Sequence, residues 1–209
     1  MNNIDTLVAE LTPVRPVSPR DGFALMAMAT IVAVALVAVM FGLRGDVVNG
    51  TPEPIVIVRG GILFVLGLAA VSAVVASARP SVGQSSTGWR WALAAAALFP
   101  LTSLVLGLAN RQEALSEVLS VTGLWCLGIS GVNAVFIGGL LILWLRQGAP
   151  TSIVRTSWLV GLAAGSFGTL AYSLHCPSTT VYYVGLWYTL AIALSAGVAR
   201  VIVPRLIAW

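Results

Sequence analysis

The sequence predicts an all-α fold, a polytopic membrane bundle of six transmembrane helices with both termini in the cytoplasm. Three observations lead there. Of the 209 residues, 58% are apolar and only 9% are charged, whereas a soluble domain carries about 25% charged residues. Mean hydropathy is +0.98, and so few charges cannot cover a water-facing surface. The apolar residues gather into runs close to the ~20 needed to cross a hydrocarbon core. The arginines between these runs fall unequally on alternate loops, as the positive-inside rule requires. The length leaves room for one membrane domain and a short appendage.

Residues 1–22 form that appendage, a cytoplasmic tail. In it Ile4, Leu7, Val8 and Leu11 recur at i, i+3, i+4 and i+7, with Asp5 and Glu10 on other faces. This spacing predicts a short amphipathic helix ended by Pro13. Residues 13–19 then read as an extended, proline-rich linker. So short a helix is not stable alone; it folds on a partner or on the membrane surface.

Residues 23–209 form the membrane domain, with spans at about 23–43, 55–78, 91–109, 124–145, 157–174 and 184–203. The first span is no cleavable signal peptide, because Asp5, Glu10 and Asp21 precede it and further spans follow. Arg59 lies near the outer end of the second span and is expected to snorkel to the interface. Pro100 is expected to kink the third. Between the third and fourth spans Leu115, Val118 and Leu119 have helical spacing. They predict either a short interfacial helix or an extension of the fourth span. Asn133 is the one strongly polar residue at depth and is expected to bond a neighbouring helix. The loop 146–156, with Gly148 and Pro150, marks a weak boundary between a four-helix part and a C-terminal hairpin. Gly161, Gly165, Thr169 and Ser173 make a stripe of small residues that lets another helix approach closely. Packing inside the bundle is the default reading; pairing with a second copy, as a homo-oligomer, is the alternative.

Orientation follows from the arginines. Arg15, Arg20, Arg79, Arg90, Arg146, Arg155, Arg200 and Arg205 fall on one side. Arg44, Arg59 and Arg111 fall on the other, offset by Asp46, Glu53, Glu113 and Glu117. The first side is therefore cytoplasmic. Trp89, Trp91, Trp125, Trp144, Trp158, Trp187 and Trp209 all fall near span ends and suit an interfacial belt.

Several functions are argued against. The net charge of +4 comes from scattered single arginines with no basic face, so direct nucleic-acid binding is not expected. No Asp, Glu or Lys lies in the middle of a span, against an ion-coupled transporter or a proton relay. The single histidine, His175, has no acid near it in sequence, and no catalytic fingerprint is present, so the chain is not expected to be an enzyme. No cofactor motif is present.

The remaining chemical lead is the two cysteines. Cys126 lies at the outer end of the fourth span and Cys176 just past the outer end of the fifth, within His175-Cys176-Pro177. In an oxidising compartment they can form a disulfide. With His175 they offer a soft ligand set for a thiophilic metal ion bound transiently. Two inert buried thiols are the third alternative.

The C-terminal part carries a resemblance. Its residues are Leu145-Arg146-Gln147-Gly148-Ala149-Pro150, the small-residue segment 161–168, and Tyr172-Ser173-Leu174-His175-Cys176-Pro177. Trp187-Tyr188 and the closing Arg205-Leu206-Ile207-Ala208-Trp209 follow. The tail from Ile4 to Leu11, with Pro13-Val14-Arg15-Pro16, Ala78-Arg79-Pro80 and Cys126 add to it. On these residues the chain resembles the NrsF-type family of six-span bacterial membrane proteins. The resemblance spans essentially the whole chain and is most specific at His-Cys-Pro. It implies an anti-sigma factor that sequesters a sigma factor of the extracytoplasmic-function class at the inner membrane and releases it on an outside stress. It makes Ile4, Leu7, Val8, Leu11, Val14 and Arg15 the candidate partner contacts, and Cys126, Cys176 and His175 the candidate detector of oxidant or heavy metal. One departure is Ser178, where an acidic residue is expected in many members; a carboxylate at that site cannot help bind a metal here. The runner-up, from another class, is a small membrane transporter or thiol-redox component.

Overall fold

The computed structural model describes residues 18–78, 88–118, 120–148, 150 and 152–207, and among them it is helical without strands. Helix α1 is Pro19–Phe41, with Pro19 at the first helical position, where its missing N–H is no loss. Its buried stripe is Gly22, Met26, Ala29, Ala33 and Val37, the spacing of one helix face. Gly42, at φ 80°, ends α1 in the left-handed region that favours glycine. A single turn, α2 (Gly45–Val48), follows, then α3, Pro54–Ser77. Helix α4 is Gly88–Ala109 with Pro100 inside it, and α5 is Arg111–Val118. Helix α6 is Val121–Leu145 and α7 is Ile153–Ser173. Helix α8, Val181–Ile207, passes through a π-helical stretch at Val184–Tyr188.

Among the described residues four helices, α1, α3, α6 and α8, are long and apolar enough to cross a membrane. The sequence reading expected six. The difference at α7 has a physical reason. This helix packs against α8, α6 and α3 and is buried around most of its circumference. A helix sheathed by other helices meets little lipid, so it carries Gly, Ser and Thr where a lipid-facing helix carries Leu and Val. Two of its serines are satisfied locally: Ser157 Oγ donates to Ile153 O at 2.6 Å and Ser166 Oγ to Leu162 O at 2.6 Å.

Glycines let the backbones close. A Cβ on Gly161 would sit 2.6 Å from Ser195 O, and one on Gly165 would sit 2.9 Å from Ser195 Cβ. On another face, a Cβ on Gly168 would lie 2.7 Å from Ala134 N. The small-residue stripe is therefore filled inside the chain, by α8. Because α7 lies at the centre of the bundle, the expected division at 146–156 does not exist.

Other expectations are corrected. Trp144 and Trp187 do not belong to an interfacial belt. Trp144 is buried over Gly22 and Trp187 over Gly123, while Trp125 and Trp158 are exposed. Asn133 does not bond a neighbouring helix through its amide nitrogen; Nδ2 donates to Ile129 O of its own helix at 2.9 Å. The segment after α4 is a separate short helix rather than an extension of α6.

The bundle has two ends. At one, Thr156 Oγ1 donates to Ser77 Oγ at 3.1 Å, and Gly148 lies against Ala78. At the other, the connections 42–53 and 174–180 meet, and Tyr183 OH donates to Thr122 O at 3.0 Å.

Candidate functional site

The second end holds the cysteines, and two arginines organise it. Helix α3 buries Val56, Arg59, Leu63, Leu66 and Ala70 along one face, so Arg59 occupies a core position. Its exposure is 0%; it does not snorkel, contrary to the sequence expectation. Its guanidinium reaches across to the end of α7. Nη2 donates to Ser173 O at 2.7 Å and to Cys176 O at 3.1 Å, and Nη1 donates to Ser178 O. The last carbonyls of a helix lack intrahelical partners and carry the negative end of its dipole. A cation there caps α7. The planar fork of arginine can serve several acceptors in one plane, which a lysine cannot. The guanidinium carbon also lies 5.8 Å from the centroid of the Tyr188 ring. Its Nε has no hydrogen-bond partner.

Arg44, at the start of α2, holds the same loop from the water side. Its Nη1 donates to Cys176 O at 3.0 Å and to Pro177 O at 2.9 Å, and its backbone N–H donates to Leu174 O at 3.1 Å. Its other edge grips Asp46, Nε to Oδ1 at 2.8 Å and Nη2 to Oδ2 at 3.1 Å, with Glu53 Oε1 at 3.7 Å. Bonding to Arg44, together with the N–H of Glu53, holds the Asp46 carboxyl at about 2, and the Asp46 bond raises Arg44 in return. The carbonyl of Cys176 thus accepts from both arginines.

Both cysteines are free thiols with no exposed surface. Cys126 lies just inside α6 and Cys176 in the loop after α7. They share one buried cluster with Leu63, Leu66, Tyr172, Tyr183, Trp187 and Tyr188. His175 takes another direction. Its Nδ1 lies 3.0 Å from Gly42 O, and its ring rests between Phe41 and Tyr172, 5.5 and 5.9 Å between centroids. Among the described residues no three His, Cys, Asp or Glu side chains gather as a metal site. The arrangement suits a thiol pair better than the three-ligand set.

The candidate partner contacts Ile4, Leu7, Val8, Leu11, Val14 and Arg15 lie outside the described residues. The sequence reading missed the roles of Arg44 and Arg59. Arg59 had a signal: it stands three residues after Val56 and four before Leu63, in register with the buried face.

The family model described as NrsF, negative regulator of sigma F, matches residues 7–209. The chain is similar to the anti-sigma-F factor NrsF of Caulobacter vibrioides, 26% identical over 199 residues, covering 90% of this chain and 89% of the relative. It is also similar to the probable anti-sigma-F factor NrsF of Azospira oryzae, 23% identical over 177 residues, covering 85% and 83%. No solved structure matches the chain.

Proposed function

The chain belongs to the NrsF family of negative regulators of sigma F, and on that premise we propose that it is a multi-pass protein of the bacterial cytoplasmic membrane that sequesters an extracytoplasmic-function sigma factor and releases it on an outside signal. The observation that carries this reading is the family match over residues 7–209. The four long apolar helices support the membrane location. Helices α4 and α7, of 22 and 21 residues, complete six spans; at 1.5 Å per residue each is about 30 Å long, the thickness of the hydrocarbon core.

In this reading the tail meets the sigma factor through Ile4, Leu7, Val8 and Leu11, with Val14 and Arg15 following. The detector is the thiol pair at the outer end. With a two-electron oxidant such as hydrogen peroxide, the two S–H bonds break, one S–S bond joins Cys126 to Cys176, and the peroxide is reduced to two waters. Both thiols lie in one cluster, which supports a bond between them. A thiophilic metal ion is the other inducer, and it requires His175 to turn from Gly42.

The test is recovery of the tagged full chain in mild detergent. A sigma factor should come with it in stoichiometric amount. Replacing Leu7 and Leu11 together by Asp should weaken that binding at least tenfold, because burying each Leu contributes roughly 1.5–3 kcal/mol. Unchanged binding in the double variant would move the contact to the inner loops. Cys126→Ser and Cys176→Ser should each blunt release by peroxide, and the double variant should add little, since one bond needs both residues. His175→Ala should spare that response and blunt only a response to metal.

A further inference from the structure

We infer that Arg59, backed by Arg44, is the latch that controls access to the two buried thiols. This deepens the reading of Cys126 and Cys176 as the detector and rests on it, but it concerns a residue and a step that reading does not contain.

Neither thiol has exposed surface, so no reagent meets them in the observed conformation. Something around them must move first, and the segment that carries one of them, Cys176, is the loop 174–178. Arg59 fastens it through the carbonyls of Cys176 and Ser178, and anchors on Ser173 O at the end of α7. Arg44 fastens it through those of Cys176 and Pro177 and by its own N–H to Leu174 O. Every one of these acceptors is main chain, so the hold depends on the arginines and not on the loop's side chains.

The two hands differ. Arg44 stands at the water side with two carboxylates beside it. Arg59 is buried, and among the described residues it has no carboxylate partner. A buried cation is tolerated only where its hydrogen bonds are kept. Moving the loop would take the carbonyls of Cys176 and Ser178 from it and leave it only that of Ser173. Arg59 therefore resists opening more strongly than Arg44, and it draws the loop back after opening.

The test uses the full chain in membranes, without any sigma factor, so its outcome is separable from that of the sigma-binding reading. A membrane-permeant maleimide reports Cys176 in the Cys126→Ser background. Under fast local closing, the labelling rate follows the open population. Arg59→Gln should raise that rate at least about tenfold, the effect of losing even one hydrogen bond to a charged group. Arg59→Lys, which keeps the charge but not the fork, should fall between Gln and the wild type. Arg44→Gln should raise the rate less than Arg59→Gln. The control is Ala33→Cys on α1, also fully buried, in a chain with both native cysteines replaced by Ser. Its labelling should not change when Arg59→Gln is added. Unchanged labelling of Cys176 would overturn the latch, and so would equal acceleration at position 33, which means general loosening. If the Arg59 variants do not insert, Arg44→Gln decides. It removes the bonds to the Cys176 and Pro177 carbonyls from outside the thiol cluster; faster labelling of Cys176 with unchanged labelling at position 33 supports the latch, and an unchanged rate overturns it.

Discussion

A guanidinium has five donors, no acceptor and a charge it does not give up. In apolar surroundings it persists only where fixed oxygen atoms meet it. Arg59 finds them at the frayed end of a helix, where carbonyls are already in want of donors. Arg44 finds them partly in the same loop and partly in Asp46. The two therefore answer differently to pH. The Asp46 carboxyl is ordinarily near 3.8 and is held at about 2. Its pairing with Arg44 is fully present above 3.8 and is lost only as pH falls through about 2. Acidifying from pH 7 to pH 5 should then leave the labelling rate of Cys176, taken relative to that of a free thiol at the same pH, unchanged, because the thiolate is the species that reacts. Asp46→Asn should raise it modestly at both values, since a pair that stays partly in contact with water contributes little. A rate that climbs between pH 7 and pH 5 would mean that some other titrating group holds the loop.

Among the elements, α7 behaves least like its composition. It reads as the weakest of the long apolar helices, yet α1, α3, α6 and α8 all pack against it. Its contact with α8 depends on missing side chains. A Cβ at Gly161 meets Ser195 O at 2.6 Å and Ala199 Cβ at 2.8 Å, whereas one at Gly139 on α6 meets nothing within 4 Å. Gly161→Leu should thus destabilise the bundle by about 1–3 kcal/mol or more through overpacking. Gly139→Ala should be neutral or stabilising by up to about 1 kcal/mol, the usual gain in a helix interior. Thermal aggregation in detergent measures both; equal midpoints would mean that α7 and α8 do not pack tightly. The contrast shows what was legible. Gly161 and Gly165 announced a close contact, and hydropathy located α1, α3 and α6 to within a few residues. Hydropathy could not reveal the centre of the bundle, because it measures preference for lipid, and a helix surrounded by protein expresses none. The tryptophans failed for a related reason: Trp144 and Trp187 stand near helix ends but each covers a glycine, and proximity to an end does not say which way a ring faces. In the site, the two thiols were legible as a pair on one rim. Arg59 was misread because it was judged by its depth along the helix and not by its angle around it.

At the scale of the whole molecule the two ends use most of their arginines differently, although Arg111, just after α4, is exposed at the thiol end. At the thiol end, Arg44 and Arg59 are spent on main-chain carbonyls and on Asp46. At the other end Arg20, Arg146, Arg155 and Arg205 are exposed. Cations near span ends set orientation when they lie in short loops and are retained on the cytoplasmic side. Those committed to internal partners weigh less in that balance once the bundle has formed. The asymmetry of uncommitted arginines is therefore larger than the raw count suggests, in keeping with the proposal that the end bearing Arg146 and Arg155 faces the cytoplasm. A phosphatase active only outside the cytoplasm should work when fused near Thr180 and fail when fused near Ser85, while a reporter that fluoresces only inside should show the reverse. This pattern would put Cys126 and Cys176 in the compartment where a disulfide persists. The opposite pattern would place both thiols in a reducing compartment, remove the oxidant as their signal, and leave the arginine latch closing over cysteines that serve packing alone.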